Sequence, residues 1–219
     1  MKTNQDYKNA ALAALKGNWA QAVICTIVLV LIALACNLGS VLTSLFGDSN
    51  TPGLTLLIIG YVCLLLVYVP LSLGFYNSFK TLLETGDNRL TDNMFSLGFK
   101  NWLRNTGGML LMCLYVILWA FLFYIPAFIM SYAYMMTPFI LADRPDLSVN
   151  QAIKESKRMM KGHKFDLFCL QLSFAGWYIL AILTAGIGLF WLTPYITAAT
   201  AEFYRDLKSE KALEKTELV

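Results

Sequence analysis

The chain has 219 residues, of which 58% are hydrophobic and 14% charged, with a net charge of +3. A soluble domain carries about 25% charged residues, so this balance excludes an ordinary soluble catalytic domain, and the mixing of acids with bases gives no nucleic-acid surface. All 17 Lys and Arg residues fall in four polar segments, around the uncharged runs Gly17–Gly47, Ser49–Phe79, Asn105–Ala142 and Leu167–Ala201. Each run exceeds the roughly 20 apolar residues that cross a bilayer core, which predicts an integral membrane protein.

The chain opens with a short polar helix. Thr3 and Asp6 have the spacing of an N-terminal cap, and Lys16-Gly17-Asn18-Trp19 leads into the first apolar run. The first two runs, 31 residues each, suit one span apiece, about 19–46 and 54–79, with a turn near Asp48. Ala33-Leu34-Ala35-Cys36 resembles a lipoprotein cleavage site, but the run continues far past Cys36, so an uncleaved first span is expected. A second polar segment follows, opening at Thr91-Asp92-Asn93-Met94-Phe95 and closing at Lys100-Asn101-Trp102. The third run, 38 residues, is too long for one span and is divided at Pro126 into about 106–124 and 127–142. Then comes Ser148–Lys164, where Lys154, Lys157, Arg158 and Lys161 recur at helical spacing opposite Val149, Ala152, Ile153, Ser156 and Met160. Ser148 with Gln151 forms a capping box, and Gly162 is a C-cap candidate. The fourth run divides at Ala185-Gly186-Ile187-Gly188 into about 165–184 and 189–206, with Pro194 in the early turns of its second piece. Residues 209–219 form a polar tail.

Parity fixes a topology. With six spans, the four polar segments share one side and hold 3, 4, 6 and 4 basic residues, while the opposite turns near Asp48, Pro126 and Gly186 hold none. The positive-inside bias then places both termini in the cytoplasm of a multi-pass inner-membrane protein. The expected fold is an all-α, polytopic transmembrane bundle of three helical hairpins with short amphipathic surface helices, forming a single domain over 1–208. The recurrence of polar helix plus hairpin reads as three internal units, with Trp19, Trp102 and Phe165 at the inner interface.

Residues able to do chemistry are scarce. The cysteines Cys25, Cys36, Cys63, Cys113 and Cys169 lie in apolar runs without a CxxC pair, as small fillers rather than metal ligands. No ionisable residue falls mid-span, which argues against ion-coupled transport, and lone His163 reads as an interfacial residue. Hydrolase, protease and ATPase motifs are missing, so neither catalysis nor a cofactor is expected. The basic residues Lys154, Lys157, Arg158, Lys161 and Lys164 are the candidate contacts to anionic inner-leaflet lipid or a protein partner, worth about 1 kcal/mol each near the surface; the plainer alternative is an inside-facing loop packed on neighbouring spans. The intramembrane polar residues Asn37, Asn77, Gln171 and Ser173 would line the path of a small permease for a neutral or amphipathic solute, or else simply bond helix to helix. Thr197-Ala198-Ala199-Thr200-Ala201 offers a small-residue face to an internal neighbour or to a second copy of the chain. Asp143, Arg144 and Asp146 with Glu202, Arg205 and Asp206 read as an ion-paired cap joining the fourth and sixth spans.

Several segments together carry a family resemblance. Leu15-Lys16-Gly17-Asn18-Trp19, Pro70-Leu71-Ser72-Leu73-Gly74-Phe75-Tyr76, Tyr134 to Asp143, Met160-Lys161-Gly162-His163-Lys164, Leu172 to Trp177 and Leu183 to Gly188 with Thr193-Pro194-Tyr195 resemble the domain of unknown function 975 family of bacterial membrane proteins. The resemblance covers about residues 2–208 and implies a multi-spanning inner-membrane protein without an established activity. It departs from the family pattern at Ala127, where Gly is expected, and at Met130, where a basic residue is common. The layout also distantly resembles the membrane domain beside some glycerophosphodiester phosphodiesterases.

Overall fold

The computed structural model describes residues 2–46, 52–122 and 124–217, and the regular elements among them are helices; the expected turn near Asp48 lies outside the described residues. Three short helices introduce the units: α1 (Asn4–Leu15), α5 (Leu90–Phe99) and α9 (Val149–Met159). Thr3 and Ser148 close complete capping boxes with Asp6 and Gln151, so orphan N–H groups at both helix starts find side-chain partners. Each short helix is followed by one left-handed residue that turns the chain into a long helix: Gly17 at φ 85°, Asn101 at φ 53° and Gly162 at φ 94°. Gly and Asn are the residues that accept this conformation at least cost.

The first hairpin pairs α2 (Trp19–Phe46) with α3 (Pro52–Cys63), which continues through a wide turn, Leu64–Tyr68, into α4 (Val69–Thr85). Pro70 has no N–H, so the carbonyl of Leu66, four residues back, loses its helical donor. The indole N–H of Trp102 replaces it at 3.0 Å. The second hairpin is α6 (Trp102–Leu122) with α7 (Tyr124–Tyr134) and α8 (Thr137–Asp143). Pro126 sits within the first turn of α7 instead of at the fold itself, because a missing N–H costs least there. Phe123, between α6 and α7, lies outside the described residues. The third hairpin is α10 (Lys164–Leu172) and α11 (Ala175–Leu183), against α12 (Leu189–Glu217). The expected single helices 127–142 and 165–184 are thus each broken, at Met135-Met136 and at Ser173-Phe174.

Five described segments are long and apolar enough to cross a membrane: Trp19–Leu38, Ile58–Thr85, Trp102–Phe121, Ile125–Asp143 and Lys164–Leu183. The sixth expected span, 189–206, is a continuous helix, but Glu202, Arg205 and Asp206 shorten its apolar stretch. Nor is 209–219 a simple tail, since α12 runs on to Glu217.

The bundle is layered. The second arms α4, α8 and the middle of α12 are buried, through Leu71, Leu73, Phe79, Phe139, Ile140, Ala198, Ala199, Ala201 and Phe203. The first arms carry the exposed apolar side chains, such as Leu31, Leu34, Leu103, Ile117, Phe121, Ile182 and Leu183. Each short helix packs against an inner arm: α5 on α4, α9 on α8, and α1 on α12, which closes the first unit onto the last. The α4–α5 contact is so close that a Cβ at Gly74 would stand 1.9 Å from the Met94 carbonyl oxygen, and one at Gly98 2.7 Å from that of Pro70. The Thr197–Ala201 face is filled from within the chain, so its small residues admit internal neighbours.

Candidate functional site: an ion cluster and a cationic cleft

The inner arms meet around one carboxylate. Asp143, the last residue of α8, pairs with Lys80 of α4 and with Lys208 of α12 at 2.8 Å, and accepts the Tyr204 hydroxyl at 2.9 Å. Lys80 is buried and the Asp143 side chain only 9% exposed, and Glu84 stands 3.9 Å from the Lys80 ammonium. Below this cluster the rings of Tyr76, Phe139 and Tyr204 join the three arms, Phe139 lying 6.0 Å from Tyr76 and stacked 5.0 Å from Tyr204. Arg104 caps the end of α8 from α6, donating to the carbonyls of Leu141 at 2.8 Å, Arg144 at 2.9 Å and Leu147 at 2.6 Å. Leu141 is in the last turn of α8, whose carbonyls a helix cannot satisfy internally, whereas Arg144 and Leu147 belong to the loop that leads to α9.

The expected cap is therefore real in Asp143 and altered elsewhere. Glu202 and Asp206 face α1: Lys2 Nζ meets Glu202 at 2.6 Å, and the Tyr7 hydroxyl donates to Asp206 at 2.6 Å. Burial, then the Asp206 carboxylate, raises the Tyr7 pKa. Arg205 bonds Glu202 at 3.1 Å and the Leu83 carbonyl at 2.6 Å, tying α12 to α4. His163 bridges Asp166 at 3.2 Å and Glu210 at 3.4 Å, between α10 and α12.

Beside the cluster opens a polar cleft. One cavity of about 220 Å³ is walled by Asp143, Arg144, Glu155, Arg158, Tyr204 and Lys208, among others. An adjoining cavity of about 320 Å³ adds Gln151 and Lys154. Of the candidate contacts, Lys154 and Arg158 line this cleft. Lys157 and Lys161 face outward without lining it, and Lys164 is half-buried at the start of α10. Helix α9 turns Ala152, Ile153, Ser156 and Met159 inward, and Ser156 donates to the Ala133 carbonyl at 2.9 Å. Its apolar side is thus spent on the protein, and only the charged side is left for a ligand. Arg158 bonds Glu155 at 2.7 Å, while among the described residues Lys154, Lys157, Lys161 and Lys164 have no carboxylate partner.

The intramembrane polar candidates are not brought together. Asn37 donates to Ala33 one turn back at 2.7 Å, and Asn77 donates to Leu73 and across to Pro138 at 3.1 Å. Gln171 accepts from the Tyr132 hydroxyl at 2.9 Å, and Ser173 returns to Leu170 at 2.6 Å. None of the four lines the cleft or the apolar groove described below, so the path a permease requires is not assembled from them.

Lys80, Tyr204 and Lys208 escaped the sequence reading, although a signal for them exists. Phe75-Tyr76, Phe139-Ile140 and Phe203-Tyr204 are spaced 64 residues apart in each step, and each is followed at the same offset by a cation: Lys80, Arg144 and Lys208. The repeat thus marks the cationic end of all three inner arms.

Residues 109–211 match a family model described as Protein of unknown function (DUF975), the family that the sequence motifs resemble. No curated protein and no solved structure matches the chain.

Proposed function

We propose that the chain is a non-enzymatic, six-span protein of the bacterial inner membrane, with both termini cytoplasmic, that holds anionic lipid head groups on the cationic side of α9. The observation that carries this reading is the one-sided use of α9: its apolar residues are consumed by packing, while Lys154 and Lys157 are exposed and, among the described residues, have no carboxylate partner. Charge exposed beside apolar helices recruits anionic lipid at about 1 kcal/mol per basic residue. The sixth span is assigned to α12 because a count of five would put the C-terminal basic residues Arg205, Lys208, Lys211 and Lys215 on the side opposite to the other basic segments.

The test uses the detergent-solubilised full chain and micelles doped with phosphatidylglycerol or phosphatidylcholine. Replacing Lys154, Lys157, Arg158 and Lys161 with Gln removes about three unpaired charges. Affinity for the anionic micelles should fall by roughly a hundredfold, with phosphatidylcholine unaffected. Unchanged anionic binding would sink the proposal, as would equal loss for both lipids; retention of a copurifying protein lost only in this variant would move the site to a protein partner.

A further inference from the structure

A second site lies away from α9. An apolar groove of about 460 Å³ runs between α1, the start of α2, α11 and α12, walled by Leu12, Trp19, Trp177, Leu180, Trp191 and Tyr195. That volume is within the roughly 300–1,000 Å³ of ligand pockets. Trp177, Leu180 and Trp191 are each half exposed or more, so the groove opens outward among apolar side chains of the membrane-spanning arms.

One end of the groove is charged. Lys8 stands one turn before Leu12 on α1, and its ammonium donates to the Ser173 carbonyl at 2.8 Å while lying 4.6 Å from the centre of the Phe174 ring. Phe174 in turn meets groove-lining Tyr195 edge-on at 5.0 Å. Lys2, Lys80, Arg144, Arg158 and Lys208 all pair with carboxylates. Lys8 is half-buried and, among the described residues, is held only by neutral partners, a backbone carbonyl and an aromatic face. An ammonium has three donors, and the ones not bonded to Ser173 remain for an anion.

We infer that the groove seats one acyl chain of an anionic phospholipid, with the lipid phosphate on Lys8. The chemistry at each end fits one molecule: an anion beside a fixed cation that, among the described residues, has only neutral partners, and a hydrocarbon chain among tryptophans. A lipid already in the bilayer reaches the groove laterally, without crossing water. This binding does not depend on the cationic side of α9, so the two sites can fail separately.

Trp19, Trp177 and Trp191 report occupancy directly. The full chain is placed in phosphatidylcholine nanodiscs containing low mole fractions of brominated-chain phosphatidylglycerol or brominated-chain phosphatidylcholine, and tryptophan quenching is followed. Quenching by the anionic lipid should saturate at a mole fraction about tenfold lower than by the zwitterionic one, as expected for one charge-assisted contact. Lys8→Gln should erase that preference, Lys8→Arg should keep it, and Leu12→Trp should weaken both lipids by narrowing the groove. The α9 quadruple Gln variant should quench like the unmodified chain. Equal quenching by the two lipids in the unmodified chain overturns the inference even if no variant folds. An unaltered preference in Lys8→Gln also overturns it, and displacement by millimolar inorganic phosphate would reassign the cation to a soluble phosphate.

Discussion

Removing the charge of Asp143 should destabilise the bundle through the lysine it leaves behind. Asp143→Asn keeps the side-chain volume and the Tyr204 contact but strips Lys80 of its nearest counter-ion. Breaking one partner of a buried pair costs about 3–5 kcal/mol. Glu84, 3.9 Å from Lys80 and one-third exposed, offsets at most about 1 kcal/mol of this. Lys208 is half exposed and should lose less than about 1 kcal/mol. The net expectation is a loss of about 3 kcal/mol, or a Tm lower by roughly 6–12 °C for a chain of this size.

The assay is reversible unfolding in mixed micelles, followed by circular dichroism and extended to a double-mutant cycle. Coupling between Lys80→Met and Asp143→Leu should be large, and the double variant should return to within about 1 kcal/mol of the unmodified protein, because an apolar pair needs no charge balance. Coupling between Lys208→Met and Asp143→Leu should be several times smaller. The reasoning is refuted if Asp143→Asn unfolds with the unmodified chain, or if Lys208 couples to Asp143 as strongly as Lys80 does.

Three further tests address other elements. Gly74→Ala should lower stability by about 2 kcal/mol or more, since its Cβ would overlap the Met94 carbonyl, whereas Gly107→Ala, with open space around it, should be neutral or stabilising by a few tenths; thermal melts distinguish them. Trp102→Phe should cost about 1–3 kcal/mol by leaving the Leu66 carbonyl without a donor, with faster hydrogen exchange confined to Leu64–Pro70 as the local readout. The Asp87 carboxyl, held down to about 2 first by the Arg89 side chain and then by the Arg89 N–H and Asn93, sits below the ordinary value near 3.9. Its contribution to the 86–90 turn is therefore complete above pH 4 and is lost as pH falls toward 2; a carbon-13 titration of the Asp87 carboxyl with a midpoint near 4 would contradict this.

What was readable in the chain follows from where its interactions are local. Capping boxes at Thr3 and Ser148, and the turns at Gly17, Asn101 and Gly162, depend on neighbours in sequence, and their residue types announce them. The breaks at Met135-Met136 and Ser173-Phe174 carry no Gly, and Pro138 only follows the first, so hydropathy ran straight through both. The partners of Asp143 were hidden for a different reason. Glu202, Arg205 and Asp206, the expected members of its cap on α12, lie on other sides of that helix, because helical spacing turns Tyr204 and Lys208, four residues apart, toward Asp143. Asp206 is turned instead to α1, which no local pattern could place against the last helix.

That last contact gives the threefold repeat its structural meaning. A repeat unit of this kind leaves one side of each inner arm for the next unit's short helix: α5 covers α4, and α9 covers α8. In an open array the third arm, α12, would be left uncovered. Here α1 takes that place, with Tyr7 packed 5.3 Å from Phe203 and Lys2 bonded to Glu202. Phe203 belongs to the same repeated pair as Phe75 and Phe139, so the first helix of the chain completes a ring whose three cations, Lys80, Arg144 and Lys208, converge on one end. Asp143 takes two of these cations and Asp146 the third, and the position of α1 that closes the ring is also what carries Lys8 to the edge of the groove. Ring closure and the proposed lipid site therefore share one helix.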